Sequence, residues 1–230
     1  VSSFFRTKNK HGDKFKEWFK NTLSIKSPYV FFVDKESAGL VKKYRRGLPT
    51  LYVEMEIKDF YTYKYKNKMI THEKHCPSVE LNLVWNEKIF MMQKAFELNP
   101  FKSEWFKWID AGISSYREAP PPACMFPKNI KKLNFLPKNK FIFSSTTPVF
   151  HPSFVTRTDY YHHVSAGSFL LHCDVINAFA DTYKEYLEKL VDRNNVWTEQ
   201  VLLTHIFKDY PDKFCKLCCG YGEVARYLFE

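Results

Sequence analysis

The chain has no apolar run approaching the roughly 20 residues needed to cross a bilayer. Its opening residues, Val-Ser-Ser-Phe-Phe-Arg-Thr-Lys-Asn-Lys, lack the long apolar core of a secretory signal. Both absences point to a soluble chain. Glycine is scarce, 7 in 230 residues, which excludes a fibrous or low-complexity protein. Acidic residues are outnumbered 25 to 35 by lysine and arginine. The resulting charge of +10 favours an anionic partner such as nucleic acid, a membrane surface or a phosphorylated ligand. The lysines are spread along the chain, so most of them also read as solvated surface.

Cysteine is too sparse and irregular for a small disulfide framework, and a chain of this length needs none. Six are present: Cys76, Cys124, Cys173, Cys215, Cys218 and Cys219. A reducing, cytoplasmic setting is the first expectation, at a membrane surface or away from one, with a secretory lumen left open. Cys215-x-x-Cys218-Cys219, with His72, His75 and Cys76 upstream, has the residue types of a zinc site. The same "FCKLCC" also reads as a buried strand.

Hydrophobic residues (45%) and aromatics (18%) are plentiful, enough for one sizeable core, and no hinge-like linker interrupts them. "PYVFFVD" (28–34) is a continuous apolar run, as in a strand buried on both faces. "VSSFF" (1–5), "TLYVEMEI" (50–57), "EWFKWIDAGI" (104–113), "KFIFSST" (140–146), "HHVSAGSFLLH" (162–172) and "KFCKLCC" (213–219) read as further strands. Between them lie helical patterns at 13–23, 79–96 and 173–191, the last with Asp174 as N-cap, and at 198–207 behind Thr198. In the second, Trp85, Ile89, Met92 and Phe96 form an apolar stripe. Asn82, Asn86 and Gln93 face the other way, towards solvent or a ligand. Residues 58–78 read as irregular structure with short helical pieces, and 45–46 as part of a basic connection.

The alternation predicts an α/β domain with a mixed, mainly parallel sheet flanked by helices, whose ligands bind beyond the strand ends. Asp110 stands at such an end, as do Phe5 and Arg6 after the first strand and Asp34 after the second. A carboxylate beside Gly112 has what a divalent cation carrying a diphosphate needs: an oxygen ligand, and room for phosphates to approach the backbone. The alternative is a strand-terminal Asp capping the turn through Ala111 and Gly112.

"SSFFRTKNKHGDKFKEWFKNTL", "SPYVFFVD", "LVWNEKIFMMQKAFELNPFKSEWFKWIDAGISSYR", "SAGSFLLHCDVINAFADTY" and "WTEQVLLTHIFKDYPDKF" resemble, in order and spacing, the HtrL/YibB family. That family is similar to nucleotide-sugar-dependent glycosyltransferases of the GT-A fold. The most specific pieces are Trp-Asn-Glu-Lys at 85–88 and Trp-x-Asp-x-Gly at 108–112. The resemblance implies a single GT-A-like domain, 1–113 binding the nucleotide sugar and 114–230 the acceptor. It implies a donor site of Phe5, Arg6, Asp34, Asn86, Lys88, Asp110, Ala111 and Gly112, and an acceptor side at Ala166, Gly167 and Ser168.

Asp110 stands where such enzymes carry the first carboxylate of an Asp-x-Asp metal motif, but Gly112 replaces the second. Mn²⁺ or Mg²⁺ would then rest on Asp110, phosphate oxygens and water, with His163 as a further ligand. Glu199 is the candidate catalytic base, or simply an acidic residue favouring its helix N-terminus. The implied partners are a nucleotide-sugar donor, UDP-linked first, and a glycan or lipid-linked acceptor. The basic surface suits peripheral contact with an acidic membrane. A catalytically silent scaffold is the second reading. Nucleic-acid binding through "FYTYKYKNK" (60–68) is a distant third, and nucleic acid is not an expected partner.

Overall fold

In the computed structural model, residues 1–121, 127–155, 161–193 and 196–229 are described. Cys124, noted above, lies outside them. The strands and helices follow in the order β1 (Ser2–Phe4), α1 (Phe15–Thr22), β2 (Tyr29–Val33), α2 (Lys35–Tyr44), β3 (Thr50–Glu54), α3 (Val79–Asn86), α4 (Lys88–Leu98), β4 (Trp105–Ile109), β5 (Phe141–Ser145), α5 (Pro152–Val155), β6 (Ser168–His172), α6 (Cys173–Val191), α7 (Glu199–Asp209) and β7 (Phe214–Cys219).

The strands form two sheets. One is parallel, in the order β1-β2-β3; the other is mixed, in the order β4-β6-β5-β7. Strand β6 runs antiparallel to both β4 and β5, whereas β5 and β7 are parallel. The expectation of one mainly parallel sheet thus holds for the first sheet and is corrected for the second. Parallel neighbours need a crossover of a dozen residues or more, usually helical. Helices α1 and α2 provide this between β1, β2 and β3. The link from β5 to β6 carries only the four-residue α5 among its described residues.

Val1 sits where the two sheets meet. Its amine donates to the Lys107 carbonyl at 2.6 Å, and its carbonyl accepts from the Ile109 amide at 3.0 Å. Those offsets are those of a parallel pair, so β1 and β4 lie side by side with their C-terminal ends pointing the same way.

Every residue of β2 is buried, as its unbroken apolar run implies. Val30 and Phe32 join the large core under α4, α6 and α7; Tyr29, Phe31 and Val33 join a second core with Phe19, Leu23 and Val41 of the α1–α2 side. Period-two alternation therefore divides one strand between two apolar layers.

Helix α2 falls within the stretch read as a polar connection. Asp34 starts it as N-cap, accepting from the Ser37 amide at 2.7 Å. Only Ser37, Ala38 and Val41 of its ten residues are buried, a stripe too short to show in the sequence. Arg45, just beyond, is buried among backbone carbonyls. Its guanidinium donates to Leu23, Ile25, Ser27 and Pro49 and to the Thr50 hydroxyl.

The long helical pattern at 79–96 is two helices, α3 and α4, meeting at Glu87. The buried Glu87 carboxylate accepts from the Tyr61 and Thr62 amides and the Thr62 hydroxyl, tying 61–62 to this junction. At α6 the N-cap is His172, whose Nδ1 accepts from the Asp174 amide, and Asp174 falls in the first turn. Thr198 caps α7 as its sequence suggests, accepting from the Gln200 amide.

Candidate functional site

The ends of β1 and β4 open into a cleft of about 530 Å³. Phe5 borders it from β1, Asp110, Ala111 and Gly112 from β4, Trp85 and Lys88 from the α3–α4 junction, and Glu199 from the start of α7. Residues scattered over the whole sequence thus converge at strand ends, where open α/β sheets hold their ligands.

Trp108 and Asp110 are two apart on a strand and leave it on the same side. The buried Trp108 ring stacks on Phe169, and its indole Nε1 donates to Asp110 Oδ1 at 2.8 Å. This explains Trp-x-Asp: the indole fixes the carboxylate's rotamer. Lys88 Nζ contacts the same Oδ1 at 2.8 Å, Glu199 Oε1 at 2.7 Å and the Ala166 carbonyl at 3.2 Å. An ammonium has three N–H donors, and all three are used.

Burial works to lower the Lys88 pKa, but the Asp110 and Glu199 carboxylates outweigh it and hold the amine above its ordinary value. Glu199 is 3% exposed, and its second oxygen accepts from the Thr198 hydroxyl at 2.6 Å. Asp110, with its side chain 33% exposed, is the more open of the two carboxylates.

The acceptor-side segment backs this cluster. Gly167 accepts from the Asp110 amide at 2.9 Å, Ser168 Oγ donates to the Trp108 carbonyl at 2.9 Å, and the Ala166 amide donates to Gln200 Oε1 at 3.3 Å. All three residues are buried. A Cβ added at Gly167 would lie 3.6 Å from Asp110 Oδ2, in ordinary contact.

Three expected donor residues are placed elsewhere. Asn86 is fully buried, donating to Asn82 Oδ1 at 2.5 Å and accepting from the Tyr183 hydroxyl at 2.9 Å, so the polar face of α3 meets neither solvent nor ligand. Asp34 is occupied as the α2 N-cap and by the Arg6 amide at 3.0 Å. Neither Asp34 nor Arg6 borders the cleft.

His163 is also outside it, packed on Phe207 with Nδ1 2.8 Å from the Thr147 hydroxyl. Burial, with Lys216 and His151 nearby, pushes its pKa down to about 4, so it is neutral at physiological pH.

Four cleft residues carried no functional signal in the sequence: Lys10, His11, Trp18 and Arg117. Trp18 lies within the helical pattern at 13–23, and Arg117 lies far from the other three in the chain. The Arg117 guanidinium sits 4.0 Å over the Trp18 ring and donates from Nε to the Gly112 carbonyl at 3.2 Å. The opposite wall carries His75, His162 and Trp197, with His75 6.1 Å and His162 6.4 Å from the Trp197 ring.

Asp110 does not fit the role of sole protein ligand to a divalent cation. One oxygen already holds Lys88 and Trp108, Gly112 takes the place of a second carboxylate, and His163 is elsewhere. An ion on the other oxygen would sit within a few ångströms of the Lys88 ammonium. That contact is repulsive and offsets part of the attraction that the carboxylates would exert on the ion.

Among the described residues, the candidate metal-binding cluster is His172, Cys173 and Asp174, whose ligand atoms lie within 4.8 Å of one another. It stands at the other end of the strands: His172 pairs with Trp105, and Ser168 with Ile109. No such cluster forms around Cys215, Cys218 and Cys219 among those residues.

Fold and site together define an α/β protein with a cleft at its strand ends, walled by aromatic rings and centred on a carboxylate–lysine–carboxylate group. The family model described as "Bacterial protein of unknown function (HtrL_YibB)" matches residues 51–223, and the chain belongs to that family. The matched stretch contains Lys88, Asp110, Arg117 and Glu199. No curated protein matches. Among solved structures, 4-diphosphocytidyl-2C-methyl-D-erythritol synthase from Anaerococcus prevotii is similar over 96% of this chain and 88% of that one. The identity is 14% and the TM-score 0.40. No helix among the described residues is long and apolar enough to cross a membrane.

Proposed function

We propose that the protein is a glycosyltransferase, moving a sugar from a nucleoside-diphosphate sugar, UDP-linked first, to a hydroxyl of a glycan or lipid-linked acceptor. The observation that carries this reading is the pair of carboxylates, Asp110 and Glu199, held 2.8 and 2.7 Å from one buried lysine at the edge of an aromatic-lined cleft. Such a cleft suits a ligand with flat and charged parts. Trp18, Trp85 and Trp197 offer faces for a base or a sugar ring, and the cationic wall at Lys10 and Arg117 offers charge for phosphates.

In the reaction, the acceptor oxygen bonds to the anomeric carbon as that carbon's bond to the diphosphate oxygen breaks and the electron pair leaves with the diphosphate. If the configuration inverts, the acceptor's proton passes to a carboxylate. Asp110 is the better placed base, because Oδ2 is free of the Lys88 and Trp108 contacts. Both Glu199 oxygens are engaged, which suits a residue that positions Lys88. The residues 166–168 behind Asp110 would then border the acceptor, as their place in the family resemblance implies.

A binding scaffold without turnover is the second reading, favoured by that same engagement of Glu199. Nucleic acid is not among the partners proposed. Contact of the basic surface with an acidic membrane would bring the cleft to a lipid-linked acceptor.

The reading is tested by thermal shift of the protein and of Trp18→Ala with a panel of nucleotide sugars. A ligand that binds only the folded state raises the melting temperature by mass action. The expected result is one nucleotide series that stabilises the native protein and fails on the variant. A flat response to every nucleotide sugar would sink it.

A further inference from the structure

The cleft contains a fixed cation where its carboxylates would otherwise recruit a mobile one. Lys88 Nζ lies between Asp110 and Glu199 at 2.8 and 2.7 Å, is 3% exposed, and is completed by the Ala166 carbonyl. Three oxygens around one ammonium leave it no donor for a phosphate. Lys88 therefore offsets one of the two carboxylate charges around it and, with its three donors engaged, cannot also clamp a diphosphate.

Charge for a diphosphate is present on another wall. Lys10, His11 and Arg117 border the same cleft, with His11 5.0 Å and Arg117 4.0 Å from the Trp18 ring. Among the described residues, none of the three forms an ion pair. Burial and then Arg117 lower the Lys10 pKa; burial followed by Arg117, Lys10 and Lys14 lower that of His11. Cations that repel one another in a cleft are a cost that an incoming anion lowers, and at Arg117 only Tyr221 and Asp110 offset it in part. Arg117 is further restrained by its Nε bond to the Gly112 carbonyl, beside Asp110.

We propose that the cleft takes the diphosphate of its donor without a divalent cation. The Lys88 ammonium fills the place of the metal between Asp110 and Glu199, and Lys10, His11 and Arg117 supply the charge that meets the phosphates. This rests on the donor-site reading above and adds to it the chemistry of the phosphate subsite. Lys88 is a positioning residue in this account, and Arg117 and Lys10 are the contacts. Arginine suits the role because its fork can meet two phosphate oxygens at once.

Titration calorimetry with inorganic pyrophosphate and with UDP tests this, first in EDTA and then in excess Mn²⁺ or Mg²⁺. The expected result is binding in EDTA that changes less than about threefold when metal is added and weakens as salt is raised. Arg117→Gln should weaken binding about tenfold, the loss of one charge-assisted contact. Lys10 is exposed, so Lys10→Gln keeps the fold intact and serves as the second variant, with a weakening of a few-fold.

Binding that appears only with metal would overturn the inference and leave the donor-site reading standing. Binding in EDTA that neither substitution weakens would overturn the assigned subsite. No binding of pyrophosphate or UDP under either condition, together with a flat thermal-shift panel, would overturn both.

Discussion

Lys88 and Lys107 each carry an ammonium out of water, at two sides of the same strand system, and the protein treats them in opposite ways. Lys88 meets two carboxylates and is held charged. Lys107, part-buried on β4, donates to the Ala225 carbonyl at 2.7 Å, and burial pushes its pKa down to about 7. The same side chain in the same fold is a permanent cation at the cleft and a half-titrated amine on the far side. Burial sets the penalty; the partners decide whether the charge survives it. Charge kept at such expense is one reason the cleft is the candidate functional region.

The largest effect should come from Lys88→Met. Removing one member of a buried ionic group leaves the others uncompensated and costs roughly 3–5 kcal/mol. For a chain of this size the melting temperature should fall by about 10 °C. Adding Glu199→Gln should recover part of that loss. Thermal unfolding of the two variants checks it, and a small loss in the single variant would mean that the cluster is loose and solvated.

Arg45→Lys comes next. It keeps the charge, but an ammonium reaches at most three of the five acceptors that the guanidinium meets. The expected cost is about 3 kcal/mol, from carbonyls left without donors. Denaturant unfolding measures it.

Lys107→Met sharpens the contrast through pH. The folded-state pKa of Lys107, about 7, lies below the ordinary 10.5. Between those values the unfolded chain holds a proton that the folded one lacks, so native stability rises with pH across that window. Methionine has no proton to bind. Relative to the native protein, the variant should therefore be most favourable below pH 7 and lose that advantage by about pH 10. A difference that does not vary with pH would show Lys107 to be solvated. The smallest effect is expected from Gly167→Ala, whose added methyl meets only contacts of 3.5–3.7 Å. Its stability should change by less than about 1 kcal/mol.

Much of this was legible in the sequence, for identifiable reasons. The run Tyr29–Val33 could only be a strand covered on both faces, and Thr198 announced α7. Asp110 stood out as a carboxylate at a strand end in need of a partner, and Lys88 through the family resemblance; the two pair with each other. Asn86 was misread because periodicity tells which face a residue lies on and not what packs there, and Tyr183 comes from a helix far along the chain. Arg45 looked like surface because nothing local reveals four carbonyls converging on it. The proposed phosphate subsite was invisible because Lys10 and Arg117 lie far apart in the chain and come to one cleft only through the fold, which leaves no periodic trace.

Whether the Asp110–Lys88–Glu199 cleft transfers a sugar is decided by release of nucleoside diphosphate from a panel of nucleotide sugars. The measurement compares the native protein with Asp110→Asn, which preserves shape and can still accept from Lys88. Turnover of one donor class is expected, slowed about 100-fold or more in Asp110→Asn while the variant still binds that donor, as for loss of a base. Equal turnover by the two proteins, or tight binding of a donor by the native protein with no release at all, would contradict it.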